Sequence, residues 1–245
     1  MTWADAIRHT HAEQPGITEE LLTLSRSGGL NPYEWLFEGV LSDEFVVDLG
    51  CGSAPSRPFC GNKWLGVDRS ESELGVASAR GANPLVLGEM TKLPLLSECA
   101  DVVVSSMSMM LVGNSSDAIT EVQRVLRRGG TARFMIPTRA PIKARDRLRY
   151  VRLLGVLRTG AFFPPSSFMR SPKDALKMAG LVIVDDASMS FALKIEDSLI
   201  ADRFANSLYL PGSSSERLNN ARALTHRWVG SSIGIPLRRV IAQRP

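Results

Sequence analysis

Val46-Val47-Asp48-Leu49-Gly50-Cys51-Gly52-Ser53-Ala54 is the stretch from which the fold of this chain is read. Phe45 to Leu49 form a short apolar run, as expected of a central parallel strand covered on both faces. The run ends in two closely spaced glycines, which let a backbone approach a ligand where a Cβ would clash. In open α/β sheets ligands bind at the carboxyl ends of the strands. Asp48 narrows the chemistry: a carboxylate two residues before the first glycine repels a pyrophosphate and attracts an ammonium group, directly or through water.

Further along, Trp64-Leu65-Gly66-Val67-Asp68 reads as the next strand, and Asp68, some 18 residues after Gly50, has the spacing of an acceptor for ribose hydroxyls. A helical stretch over 71–80, a third strand over 84–87 and Gly88-Glu89-Met90 follow, the last offering a polar and an apolar group to a base. A fourth strand is predicted over 101–105. Ile119, Val122, Val125 and Leu126 lie at helical spacing within 117–127, and Gly129-Gly130 is expected to stop that helix before a fifth strand over 131–136. Alternating strands and helices predict a parallel sheet with helices on both faces.

Beyond Pro137 the pattern predicts a basic amphipathic helix over 144–158, a Phe-Phe-Pro-Pro turn at 162–165 and a helix over 172–179. Strands at 181–184 and 189–193, helices over 196–209 and 215–229, and a closing strand over 237–242 complete it.

The 245 residues, 44% apolar and 22% charged, suit one globular domain, and no apolar run reaches the roughly 18 residues that span a bilayer. The N-terminus lacks the apolar core of a signal peptide, so a cytoplasmic protein is expected. Cys51, Cys60 and Cys99 show neither a disulfide framework nor zinc spacing, and no metal site is expected. The formal charge of +4 favours anionic partners only weakly.

On these residues the sequence resembles the class I S-adenosylmethionine-dependent methyltransferases, especially the type-11 group that includes quinone C-methyltransferases. The match rests on Val-Val-Asp-Leu-Gly-Cys-Gly at 46–52, Gly-Val-Asp-Arg-Ser at 66–70, Leu-Pro-Leu at 93–95 before Ala-Asp-Val-Val at 100–103, and Val-Leu-Arg-Arg-Gly-Gly at 125–130. It covers about residues 43–137. The resemblance implies a Rossmann-like α/β sheet of seven mostly parallel strands, the last antiparallel, with S-adenosyl-L-methionine as cofactor. It puts Asp48, Gly50 and Gly52 around the methionine part, Asp68 on the ribose, Glu89 and Met90 near the adenine, and Ser105 or Ser106 beside the sulfonium, with Cys51 and Arg69 as further cofactor-binding candidates. The single domain then divides into an N-terminal cap (1–42), a cofactor-binding core (43–137), and a substrate lid with the C-terminal part of the sheet (138–245). One departure stands out. The family has another glycine near Ala54 and then a helix, whereas Ala54-Pro55-Ser56-Arg57-Pro58 carries two prolines that disfavour a helix.

The expected reaction is methyl transfer to a small or lipid-like metabolite, with RNA as an alternative acceptor and a cofactor-binding protein without turnover as another. An NAD-dependent oxidoreductase is disfavoured by Asp48 and by Pro55 where a third glycine should stand. The stripe Met107, Met109, Met110 and Leu111 suits core packing or a substrate cavity. No Asn-Pro-Pro-Tyr motif follows the fourth strand, which lowers the expectation of base amino groups as targets. Lys143, Arg145, Arg147, Arg149, Arg152 and Arg158 form either a solvated helix face or a lid attracting an anionic acceptor, RNA or an acidic membrane surface. Trp35, between Tyr33 and Phe37, is either satellite core or a cap on the pocket. Trp35, Arg145 and Arg149 are therefore the candidate acceptor contacts. His9 and His11 approach the site only if the N-terminal segment folds over it. No general base is named, because in-line positioning suffices for an acceptor that is already nucleophilic.

Overall fold

The computed structural model describes Trp3, Ile7 and residues 11–163, 166–208 and 214–245. His9, Pro164, Pro165 and Tyr209 therefore lie outside the described residues. Seven strands form one sheet: β1 (Val46–Leu49), β2 (Trp64–Asp68), β3 (Leu85–Leu87), β4 (Ala100–Ser106), β5 (Leu126–Pro137), β6 (Val182–Ile195) and β7 (Ser231–Gln243). Their order is β3-β2-β1-β4-β5-β7-β6. Neighbours among β1 to β5 are parallel, and β7 runs antiparallel to both β5 and β6. This is the mostly parallel sheet with an antiparallel last strand that the resemblance implies.

Strand alternation sorts the core into two layers. Val47, Leu49, Val103 and Phe134 pack on one face with Ile119 and Val122 of the helix α4 (Ser115–Val125), and Val46, Val102, Val104 and Trp64 pack on the other. The second face is covered by two helices that the sequence pattern did not reveal, α1 (Ile17–Leu24) and α2 (Pro32–Leu36). Helix α2 is only five residues long but has Pro32 at its start and a reciprocal capping box between Asn31 and Glu34. Arg133 of β5 donates to the carbonyls of Leu36 and Glu38, which ties the end of this short helix to the sheet.

Further helices are α3 (Glu71–Ala79), α5 (Ala144–Leu157), α6 (Ser167–Arg170), α7 (Pro172–Met178), α8 (Ser198–Asn206) and α9 (Ser215–His226). Two boundaries differ from the sequence pattern. Helix α4 ends at Val125 rather than at the glycines, because Leu126 turns extended and pairs with Ala100, which buries its side chain completely. The strands expected at 181–184 and 189–193 are a single strand. The polar gap between them, Asp185 to Ser188, is held in the ladder by ion pairs across the strand pair: Asp185 with Arg239 at 2.9 Å and Asp186 with Arg238 at 2.7 Å. Among the described residues no helix is long and apolar enough to cross a membrane.

Candidate functional site

The loop after β1 is set by backbone conformation. Gly50 and Gly52 have φ of +66° and +52°, in the left-handed region that glycine enters at little cost. Ala54 has φ +58°, so it takes up the conformation for which the resemblance leads one to expect a glycine, at a steric cost of roughly 1–2 kcal/mol. A 3₁₀ turn over Arg57–Phe59 then stands where the family has a helix, as the two prolines require. The amides of Gly50 and Cys51 both donate to the carbonyl of Val67, which locks the loop to the end of β2.

A cavity of about 610 Å³ opens at the carboxyl ends of β1, β2 and β4. That lies within the ~300–1,000 Å³ usual for small-molecule sites. Gly50, Gly52, Asp68, Arg69, Glu89, Met90 and Ser106, seven of the residues singled out in the sequence, line it. Asp68 is pinned by its own loop: Oδ2 accepts from the Gly52 amide at 2.8 Å and Oδ1 from the Ser70 amide at 2.9 Å. A carboxylate has lone pairs to spare beyond these two bonds. The N-terminal segment closes the cavity with Ile7, His11, Thr18, Glu19 and Leu22, so the segment does fold over the site.

Three of the expected cofactor contacts are placed elsewhere. Asp48 lies on the Val46 side of β1, is 2% exposed, and accepts a hydrogen bond from the Ser56 hydroxyl within the short 54–58 loop. Burial, helped by Asp68, pushes its carboxyl up to about 7. Cys51 is buried beneath Gly66, its thiol pushed far up by burial. Ser105 is fully buried and shares a 2.7 Å hydrogen bond with Ser108, which donates to the Leu49 carbonyl and so braces β4 against β1.

The acceptor candidates Trp35, Arg145 and Arg149 also lie off the cavity lining. Trp35 is buried against Phe191, under the guanidinium of Arg239 at 4.8 Å, and does not line the cavity. Its neighbour Tyr33 does. Two residues along a helix rotate a side chain by about 200°, so only one of the pair can face the site. Arg145 and Arg149 both donate to the Ser232 carbonyl, at 2.9 and 2.8 Å, and Arg149 also covers Trp228. They clamp α5 to the start of β7 and do not line the cavity. From the segment 140–170 it is Phe163 and Met169 that approach the site, packed on Ile7 and Met110.

The sequence pattern missed Thr18, Glu19, Glu73 and Ser108. Ser70-x-x-Glu73 has the spacing of a capping box, and Ser70 does accept from the Glu73 amide. The Glu73 carboxylate instead turns inward to the Gly16 amide and to His11 Nδ1 at 2.6 Å. Among the described residues no group of three or more His, Cys, Asp or Glu is arranged to hold a metal ion.

A buried carboxyl whose pKa is raised on folding binds a proton that the unfolded chain has released, so stability falls as pH rises. For Asp48 the window runs from the unfolded value near 4 to the folded value of about 7. Asp48→Asn is expected to remove part of this slope: it should raise the melting temperature at pH 8 relative to wild type and change it little at pH 4.5. A larger loss at pH 8 than at pH 4.5, read by scanning calorimetry, would count against the buried-acid account.

Residues 47–134 match the family described as Methyltransferase domain. No curated protein sequence matches the chain. Solved structures with the same fold include a phosphoethanolamine N-methyltransferase of Haemonchus contortus complexed with phosphomonomethylethanolamine and S-adenosylhomocysteine, at TM-score 0.60 and 14% identity. It covers 100% of this chain and 60% of that one. An S-adenosylmethionine-dependent methyltransferase of Thermotoga maritima aligns over 100% of both chains at TM-score 0.56 and 16% identity. The [4+2]-cyclase SpnF aligns over 87% of this chain and 80% of its own at TM-score 0.58 and 16% identity. The sheet order, the glycine loop after β1 and the match over 47–134 to a methyltransferase-domain family together support a class I methyltransferase fold for this chain.

Proposed function

We propose that the protein transfers a methyl group from S-adenosyl-L-methionine to a small acceptor with an apolar body. The observation that carries this is the charge and size of the cavity: Glu19, Asp68, Glu89 and Asp117 line it against Arg69, in a volume of about 610 Å³. An acidic wall suits a sulfonium with an ammonium arm and opposes the phosphates of RNA or of a dinucleotide. The buried oxygens of Thr18, Glu19 and Ser106, unpartnered among the described residues, also fit a ligand rich in donors.

Asp68 would take the ribose hydroxyls, and Glu89, Met90, Leu111 and Val112 would surround the adenine. Bound there, the cofactor supplies an electrophilic methyl group on a sulfonium. The chain's own part is to exclude water and align the acceptor. Leu22, Tyr33 and Met107 give the cavity an apolar side for the acceptor's body. RNA is disfavoured because Arg145 and Arg149 are spent on α5 packing.

Isothermal calorimetry with S-adenosylhomocysteine tests the cofactor. Asp68→Ala removes the ribose acceptor and also the anchor of the Gly52 amide, so affinity should fall by about 1–3 kcal/mol, roughly five- to 150-fold. Unchanged affinity in this variant would remove Asp68 from the site. No binding to wild type at millimolar concentration would remove the cofactor.

A further inference from the structure

Three carboxylates converge on Gly52. Asp68 at the end of β2 accepts from its amide, Glu19 Oε1 occupies the space a Cβ would take, and Glu73 Oε2 stands 3.8 Å from that point. Glu73 comes from α3, is 1% exposed, and uses only Oε1, which accepts from the Gly16 amide and pairs with His11. Among the described residues, its Oε2, Glu19 Oε2 and Thr18 Oγ1 are buried without a hydrogen-bond partner. Thr18 and Glu19 also line the cavity. Buried acceptors left unpaired destabilise the fold, and two neighbouring carboxylates add repulsion.

The ligand that relieves this arrangement has to bring positive charge and several donors to one point. The other charged groups facing it are His11 on Glu73, Arg80 held 2.8 Å from Ser53 Oγ, and Arg69 across the cavity. A metal ion does not suit the geometry among the described residues. A primary ammonium does, with three donors in a tetrahedral fan. Asp48, the acid that the motif offers for this task, is turned away to Ser56.

We propose that Glu19 and Glu73 form the receptor for the α-ammonium of the cofactor's amino-acid arm, and that filling it fastens the N-terminal segment 11–24 over the cavity. This rests on the cofactor assignment above. The position favours that arm over an acceptor amine, because Gly52 and Asp68 belong to the strand ends that hold the ribose. It also makes the segment part of the binding site, since Glu19 sits on α1 while Glu73 and Gly52 belong to the sheet side. Burial and the neighbouring Glu73 push the Glu19 carboxyl up to about 7. An arriving ammonium lowers it again, so binding at pH 7 should release up to about half a proton.

The test compares S-adenosylhomocysteine with its deamino analogue, which lacks only the ammonium, by calorimetry in buffers of different ionisation enthalpy. Wild type should bind S-adenosylhomocysteine at least tenfold more tightly, with proton release, and the analogue without it. In Glu19→Gln and Glu73→Gln, each checked for folding by circular dichroism, the preference should fall below threefold and the proton release should vanish. Hydrogen exchange over 11–24 should be slowed by S-adenosylhomocysteine and much less by the analogue. Equal affinity of wild type for both ligands, or an equal weakening of both in the two variants, overturns the ammonium site and leaves the cofactor assignment standing. If neither ligand binds wild type at millimolar concentration, both fall together.

Discussion

Gly50→Ala is expected to lower affinity for S-adenosylhomocysteine at least a hundredfold. A Cβ at this position would fall 2.5 Å from Met90 Cε and 2.6 Å from Ser108 Oγ. Met90 is flexible and can give way, but Ser108 cannot do so cheaply. Its hydroxyl joins Ser105 at 2.7 Å and the Leu49 carbonyl at 2.8 Å, the bonds that hold the ends of β4 and β1 together. The backbone adds strain of roughly 1–2 kcal/mol, since φ is +66°. Relief by moving the loop would shift Gly52, and with it the amide that anchors Asp68. The loss should therefore appear as a change in affinity with only a modest fall in melting temperature. A variant that binds within threefold of wild type would show that the loop does not touch the ligand.

Phe134→Ala is expected to have the largest effect on stability. Phe134 lies in the C-terminal half of β5, is fully buried, and packs its ring 5.0 Å from that of Phe168. Removing such a ring costs about 3–5 kcal/mol in lost transfer energy and residual cavity. At the 2–4 °C per kcal/mol typical of this chain length, the melting temperature should fall by about 6–20 °C. Phe168 lies on α6, which packs beside the Met109–Leu111 turn in the wall of the cavity. Loosening that pair should therefore also weaken ligand binding in the fraction that stays folded. Phe134→Leu keeps most of the volume and should recover most of the stability; a fall of under 3 °C in the alanine variant would refute the placement of this ring in the core.

The central part of the sheet is legible because parallel strands buried on both faces must be apolar throughout, and their ends must carry glycine wherever backbone comes close to a ligand or another strand. Val46–Leu49, Trp64–Asp68 and the run at 100–106 are largely apolar, and Gly50 and Gly52 follow the first of them, where they line the cavity with Asp68. The helical period of Ile119, Val122 and Val125 likewise marks one buried face from spacing alone. The long edge strand β6 is harder to read. Asp185 and Asp186 look like a break until Arg238 and Arg239 are seen opposite them, and no local pattern encodes a partner 52 or 54 residues away.

Site chemistry divides along the same line. A motif specifies a residue's position along a strand, but the direction a side chain takes depends on what packs beside it. Asp48 faces Ser56 because the loop over 54–58 replaces a helix; Trp35 turns to Arg239 and Phe191, and Arg145 and Arg149 reach the Ser232 carbonyl across the α5–β7 contact. Each of these outcomes depends on a contact distant in sequence or on the shape of a neighbouring turn. The same holds for Glu19 and Glu73, ordinary helix acids in the sequence that meet across the Gly52 loop only once the N-terminal segment has folded over the sheet. Local burial and backbone freedom impose their patterns residue by residue, so the order of residues is enough to specify the central parallel strands and the glycine loop. Which acids face the cavity is settled by long-range packing, because burial and charge in a site are sums over segments that meet in space and carry no joint signature along the chain.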